Sequence, residues 1–380
     1  MNALSKVLTP ADIAPDYIKS LPPYVPGKPA SEVRREQGIE SITKMASNEN
    51  PLGTSPKAVA AMSAVVSGMA VYPDPSGYDL KAALGVRHGV HQEQLVLGNG
   101  SSELLDLLAR TFLQAGDEAV FSQYSFIAYA VAVKSVGAHG VRVPAVDYGH
   151  DLDAMAEAIG ERTRLVFVAN PNNPTGTLLS EAAIRAFLSR VPSHVLVILD
   201  EAYTEYMQPD QAMDSIALSR DYPNLVVLRT FSKAYGLAGL RVGFAVAHPR
   251  VAELLNRTRL VFNVNAVAQA AAIAALGDEA FVRKTYEVNQ AGLAQLVEAC
   301  QRLGLPYVPS SGNFLMVDFS GAPHSATEVN KRLLARGIIV RPLGPYGLPQ
   351  HLRITVGLPG ENTLFIEALD AIFEEDATQQ

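Results

Sequence analysis

An α/β fold, with a large domain on a mostly parallel sheet and a smaller α+β domain, is predicted from three features of the 380-residue sequence. Short β-branched runs alternate with amphipathic stretches from about residue 95 to 248, a long helical pattern follows at 264–303, and short strands then resume around one helical stretch. Buried strands of roughly 4–6 residues separated by helical segments of about 10–15 residues are the signature of βαβ units.

Residues 1–45 are rich in proline and charge, with LPPYVPGKP at 21–29, and read as an extended N-terminal arm. The large domain is expected over 46–263. There QLVLGNG runs into SSELLDLLARTFLQ, AVFS is strand-like, RLVFVAN precedes SEAAIRAFLSRV, and HVLVILD, NLVVLRT and GFAVAH follow as strands. Connecting helices are expected at 264–303, NVNAVAQAAAIAAL and EAFVRKTYEVNQAGLAQLVEACQRL, broken at Gly277-Asp278. The small domain, 304–380, carries NFLMVDF, IIVRPL and HLRITVG around the helix ATEVNKRLLARG.

Composition narrows the function classes. Only 18% of residues are charged, against about 25% in an ordinary globular chain, which points to extensive buried surface and hence to an oligomer. Thirty-one basic against 38 acidic residues give −7, and no basic run offers a surface to nucleic acid or an anionic membrane. The N-terminus lacks the apolar core of a signal peptide and no run approaches a membrane span, so a soluble chain is expected. The lone Cys300 forms no internal disulfide, in keeping with a reducing cytoplasm. His88 and His91 have no carboxylate or thiol cluster around them, so no metal is expected.

In open α/β sheets ligands bind beyond the carboxyl ends of the strands. RLVFVAN runs into Asn172 and Asn173, HVLVILD ends on Asp200 with Tyr203 following, and NLVVLRT ends on Thr230 before Ser232 and Lys233. An amide, a carboxylate, a phenol and an amine thus share one sheet edge. That set meets the needs of pyridoxal 5'-phosphate: a lysine for its aldehyde, an anion for its pyridinium nitrogen, donors for its ring oxygen and a cationic grip on its phosphate. Lys233 is the candidate amine and catalytic proton carrier, Asp200 the pyridinium partner, and Asn173 and Tyr203 the ring-oxygen ligands. Arg241, with Thr230 and Ser232, offers the phosphate grip. Gly100, Ser101 and Ser102, between a strand and a helix, offer backbone N–H groups. A dinucleotide site is disfavoured because Glu103 stands where the third glycine of GxGxxG belongs.

NPNNPTG at 170–176, DEAY at 200–203 and TFSKAYGLAGLRVG at 230–243 resemble the fold-type I pyridoxal-phosphate aminotransferases. ASNENPLG at 46–53, VYPDPSGYDLKAAL at 71–84, LGNGSSE at 97–103, FNVN at 262–265 and HLRITVG at 351–357 narrow the resemblance to the histidinol-phosphate aminotransferases. It implies a homodimer in which Tyr72 reaches the neighbouring subunit's cofactor phosphate. It also implies that Tyr124 stacks on the pyridine ring and that Tyr24, Asn50, Arg341 and Arg353 face the substrate. The implied reaction converts L-histidinol phosphate and 2-oxoglutarate to imidazole-acetol phosphate and L-glutamate, in histidine biosynthesis. Two positions depart from the family's usual residues: Ser102 stands for an aspartate, and Val261 for a proline.

Arg353 lies among apolar strand neighbours, where a charge is costly unless paired, so an anion-binding role is favoured. The nearest rival is an aromatic amino acid aminotransferase acting on phenylalanine or tyrosine, with Arg353 on the carboxylate; a phosphothreonine-type decarboxylase is a third reading. A transcription regulator would need a DNA-binding module, and only about 45 residues precede ASNENPLG, with no helix-turn-helix among them.

Overall fold

The computed structural model describes residues 10–23 and 28–377. The strands are β1 (Thr43–Lys44), β2 (Leu95–Gly98), β3 (Glu118–Ser122), β4 (His139–Val143), β5 (Thr163–Ala169), β6 (Leu196–Asp200), β7 (Leu225–Thr230) and β8 (Gly243–Val246), followed by β9 (Tyr307–Val308), β10 (Phe314–Asp318), β11 (Ile338–Ile339), β12 (Arg341–Pro342) and β13 (His351–Thr355). Seven of them form one sheet in the order β2-β8-β7-β6-β5-β3-β4. Only β8 is reversed, running antiparallel to both β2 and β7, and the remaining pairs are parallel. The reversal follows from the connection: parallel neighbours need a long crossover, whereas residues 231–242 turn the chain straight back.

Both faces of the central strands of this sheet are buried, as their near-continuous apolar runs require. In β5 the alternating Val166 and Val168 point into one cluster, with Leu84, Leu199 and Val227. Leu165 and Phe167 point into the other, with Leu104, Leu108 and Ile198. The helix Ala266–Leu276, whose N-cap Asn265 accepts a hydrogen bond from the Ala268 N–H at 2.8 Å, closes the first face and ends at Gly277. The 24-residue helix Glu279–Arg302 then leads away from it.

The C-terminal sheet is antiparallel in the order β12-β13-β10-β9. Leu315, Val317, Leu352 and Ile354 of this sheet pack on Leu296, Val329 and Phe365 of its helices. Residues 43–45, expected as the end of an arm, join this region instead. Thr43 and Lys44 pair in parallel with Ile338 and Ile339, and the Met45 carbonyl accepts from the Thr355 N–H at 2.8 Å. Among the described residues no helix is long and apolar enough to cross a membrane.

Candidate active site

A cavity of about 220 Å³ opens where the carboxyl ends of β5, β6 and β7 meet the N-terminus of the helix Ser101–Phe112 and the arginine-bearing strands β12 and β13. At one end lies an anion cradle. Gly100 caps the helix at φ 80°, ψ 168°, a conformation essentially reserved for glycine, and contributes no side-chain cap, so the first-turn N–H groups stay open to a ligand. A Cβ on Gly100 would collide with the Arg241 guanidinium, and one on Gly243 would come within 2.8 Å of the Ser101 nitrogen. The antiparallel return from β7 to β8 explains the eight-residue spacing of Lys233 and Arg241. Thr230 pairs with Gly243, so the two ends of the 231–242 connection lie side by side. Arg241 accordingly donates to Ser232 Oγ at 3.3 Å, and the Ser232 N–H donates to Thr230 Oγ1 at 3.1 Å. Ser101, Ser102, Thr230, Ser232 and Arg241 all line the cavity.

The middle of the cavity carries the groups expected around an aromatic ring. Asp200, buried at the end of β6, accepts from the Tyr129 hydroxyl through Oδ2 at 2.8 Å, while Oδ1 is buried with no partner. Burial pushes its carboxyl up to about 6, against the opposing hydrogen bonds of Tyr129 and the Ala202 N–H. Tyr203 accepts from Asn48 Nδ2 at 2.9 Å, which leaves its own O–H free to donate; burial pushes the phenol up to about 12. Asn173 Oδ1 accepts from Arg353, which leaves its amide N–H groups for a ligand. Lys233 Nζ donates to the Ser47 carbonyl at 3.1 Å and lies 5.8 Å from the centre of the Tyr203 ring. Burial, reinforced by the charges of Arg353 and Arg241, pushes its amine down to about 8.

The far end is cationic. Arg341 of β12 stands directly opposite Arg353 of β13 in the antiparallel register, and both are buried in the cavity wall. Opposite positions on adjacent strands bring two positive side chains to one part of the wall, an arrangement suited to an anionic ligand group. Arg353 also donates to the Ala46 carbonyl at 2.8 Å, and its guanidinium carbon sits 5.2 Å from the Phe314 ring centre.

Three candidates lie elsewhere. Asn50 does not line the cavity; its Nδ2 donates to the Ala234 carbonyl at 2.8 Å and to Thr285 Oγ1 at 3.0 Å, fastening its loop to the residue after Lys233. Tyr124, expected on the ring face, is likewise not in the lining. Asn172 holds its carbonyl at 2.8 Å, and its ring lies 6.0 Å from that of Tyr148, beside Val308 and Leu348. Phe126 and Tyr129 stand in the wall instead. Tyr72 is 78% exposed and stacks on Phe262 at 4.5 Å within its own chain. Tyr24 lies outside the described residues. Sequence reasoning passed over Asn48, Tyr129 and Tyr346, all in the lining; Asn48 stands within ASNENPLG and Tyr129 within QYSFIAY, but neither has a chemical signature of its own.

The buried Asp200 oxygen without a partner and the Gly100–Arg241 cradle fit a pyridinium and a phosphate, and Lys233, in the lining of the same cavity, fits an aldehyde. Comparisons with known proteins place the chain in a family. The model of the family "aminotransferase class I and II" matches residues 40–369. Histidinol-phosphate aminotransferase 1 of Cupriavidus pinatubonensis is 55% identical over 358 residues, covering 94% of this chain and 95% of that protein. Histidinol-phosphate aminotransferase 2 of Ralstonia nicotianae is 56% identical over 359 residues, covering 94% and 96%. Among solved structures, the histidinol-phosphate aminotransferase of Sinorhizobium meliloti in complex with pyridoxal-5'-phosphate superposes with a TM-score of 0.87 at 30% identity, covering 98% of this chain and 99% of that one. An aspartate aminotransferase variant of Thermus thermophilus, 22% identical with a TM-score of 0.83 over 95% of this chain and 99% of its own, shares the fold. On the family match and on relatives more than half identical over nearly the whole chain, the protein belongs to the class I and II aminotransferases.

Proposed function

We propose that the chain is a pyridoxal-phosphate-dependent transaminase that moves the amino group of L-histidinol phosphate to 2-oxoglutarate, giving imidazole-acetol phosphate and L-glutamate, a step of histidine biosynthesis. The observation that carries the phosphate substrate is the cross-strand pair Arg341–Arg353 in the cavity wall. A phosphate monoester, with close to two charges and three acceptor oxygens, can engage two guanidiniums, whereas a carboxylate is satisfied by one. The names of the relatives above support the same reading.

Pyridoxal phosphate, when bound, supplies an aldehyde for the amino group and an electron-accepting ring. The first-turn N–H groups at Ser101 and Ser102, with Ser232 and Arg241, would hold its phosphate, and Tyr203 and Asn173 its ring oxygen. Asp200 Oδ1 would hold the proton on the ring nitrogen. Lys233, an amine pushed down to about 8, keeps an appreciable neutral fraction near physiological pH, where an ordinary lysine has almost none, so it can take a proton from the substrate carbon and return it. Arg353 and Arg341 would orient the substrate by its anionic end.

We further propose a homodimer. Val71, Tyr72, Leu260 and Val261 are each more than 60% exposed around the Tyr72–Phe262 stack, an apolar patch of the kind that a second copy covers. Across that boundary Tyr72 would meet the neighbouring site, and a fully active monomer in sedimentation would refute it. The reaction itself is tested by mixing the purified holoenzyme with L-histidinol phosphate and 2-oxoglutarate. Stoichiometric glutamate is expected; absent amino transfer, with phenylalanine or tyrosine accepted in its place, would replace this substrate by an aromatic amino acid.

A further inference from the structure

The carboxylate at the centre of the site has a partner that the reaction above does not use. Tyr129 is fully buried on the helix Ile127–Ser135, and its hydroxyl donates to Asp200 Oδ2 at 2.8 Å. The phenol has little freedom to leave. Its ring stacks on Phe167 of β5 at 4.8 Å with 10° between the planes, and meets Phe126 edge-on at 5.9 Å. Burial and the adjoining Asp200 charge hold its own proton well above the usual phenol range, so it remains a donor across the working pH range. Asp200, in the cavity lining, therefore has one oxygen committed to a rigid donor and one, Oδ1, buried without a partner.

The other groups facing Asp200 do not duplicate this role. The Ala202 N–H helps to lower the carboxylate's proton affinity, and Lys233 and Tyr203 line the same cavity. Glu201 is turned away into a two-bond pair with Arg229, at 3.0 and 2.9 Å. A hydrogen bond donated to an ionised carboxylate lowers its appetite for a proton. Wherever Oδ1 shares a proton with another base, the Tyr129 bond biases that proton towards the other base.

Resting on the pyridoxal phosphate reading above, we propose that Tyr129 is a positioning residue that aims Asp200 and keeps it ionised, so that the shared proton stays on the cofactor's ring nitrogen. The test is ¹⁵N magnetic resonance of holoenzyme loaded with pyridoxal phosphate labelled at the ring nitrogen, between about pH 6 and 9. Wild type is expected to give a predominantly protonated ring nitrogen, with the resonance moving part of the way towards the unprotonated position at the upper end of that range. Tyr129→Phe preserves the ring packing and removes the donor. It should move the resonance towards the unprotonated position marked by Asp200→Asn, and lower kcat about 10- to 100-fold, the scale of one hydrogen bond to a charged group, with KM little changed. Placing 3-fluorotyrosine at position 129 alone supplies a stronger donor of nearly the same size. It should move the resonance the opposite way, and it decides the matter if Tyr129→Phe does not fold. A resonance unchanged in both variants, with or without a fall in kcat, overturns the proposal and leaves Tyr129 a packing residue. Failure of wild type to retain the labelled cofactor would overturn the cofactor reading as well, which separates the two failures.

Discussion

The Gly100–Arg241 end of the cavity comes from two short stretches of chain, 98–102 and 230–243, locked together by the antiparallel β2–β8–β7 register. The Arg341–Arg353 end draws on residues 46–48, Asn173, β12 and β13, from segments more than 300 positions apart, tied by contacts such as Arg353 to Ala46 and Asn48 to Thr355. One end is a backbone device and the other a side-chain device. The first serves any ligand with a phosphate of the right size; the second can discriminate between ligands, because small changes in distant strands re-aim its guanidiniums.

Lys233 bridges the two ends, and its loss should have the largest effect. Lys233→Ala is expected to lower turnover by about three or more decades and to abolish the yellow colour of the bound cofactor, read by single-turnover kinetics and absorbance. A borohydride-fixed cofactor mapped to another lysine would break the assignment at once. Next comes the discriminating end. Arg353→Ala removes a buried charge that also holds Asn173, so kcat/KM should fall roughly 30- to 5000-fold for histidinol phosphate and for glutamate alike, from a typical loss of about 2–5 kcal/mol. The backbone end is broken differently. Gly100→Ala forces a side chain into a glycine-only conformation costing about 1–3 kcal/mol, so the cofactor dissociation constant should rise roughly 5- to 150-fold, while the ratio of rates for different amino donors stays put. Equal damage to cofactor affinity and donor preference would erase the distinction between the ends.

The smallest effect is one of pH. Only the neutral amine of Lys233 attacks the aldehyde, and burial with the neighbouring arginines pushes that amine down to about 8. Capture of pyridoxal phosphate by cofactor-free protein should therefore speed up about tenfold per pH unit below 8 and level off above it. A rate still climbing at pH 10 would show that burial has not lowered the amine.

The same contrast governs what could be read before the fold was known. The backbone end was legible because its chemistry is contiguous: a glycine loop before a helix, and Ser232, Lys233 and Arg241 on one connection. The sheet was legible wherever strands were doubly buried, as in β5 to β7. Edge strand β4, HGVRV, was not, since it is half exposed and broken by Gly140. Asn48 and Tyr129 reach the site through the distant residues Tyr203 and Asp200, and nothing local marks them. Asn50, expected at the substrate from the resemblance, ties down the loop beside Lys233. The pairing of 43–45 with β11 and β13 was not legible, because so short a strand has no periodicity.

The central claim, that the Arg341–Arg353 pair reads a phosphate, is most directly tested by single-turnover amino transfer from histidinol phosphate, phenylalanine and glutamate in wild type and in Arg341→Ala. The account predicts that wild type prefers histidinol phosphate and that the variant loses roughly 10-fold or more on that donor alone, the worth of a hydrogen bond to a charged group, with glutamate little affected. A variant that handles histidinol phosphate like wild type, together with a wild-type preference for phenylalanine, would contradict it.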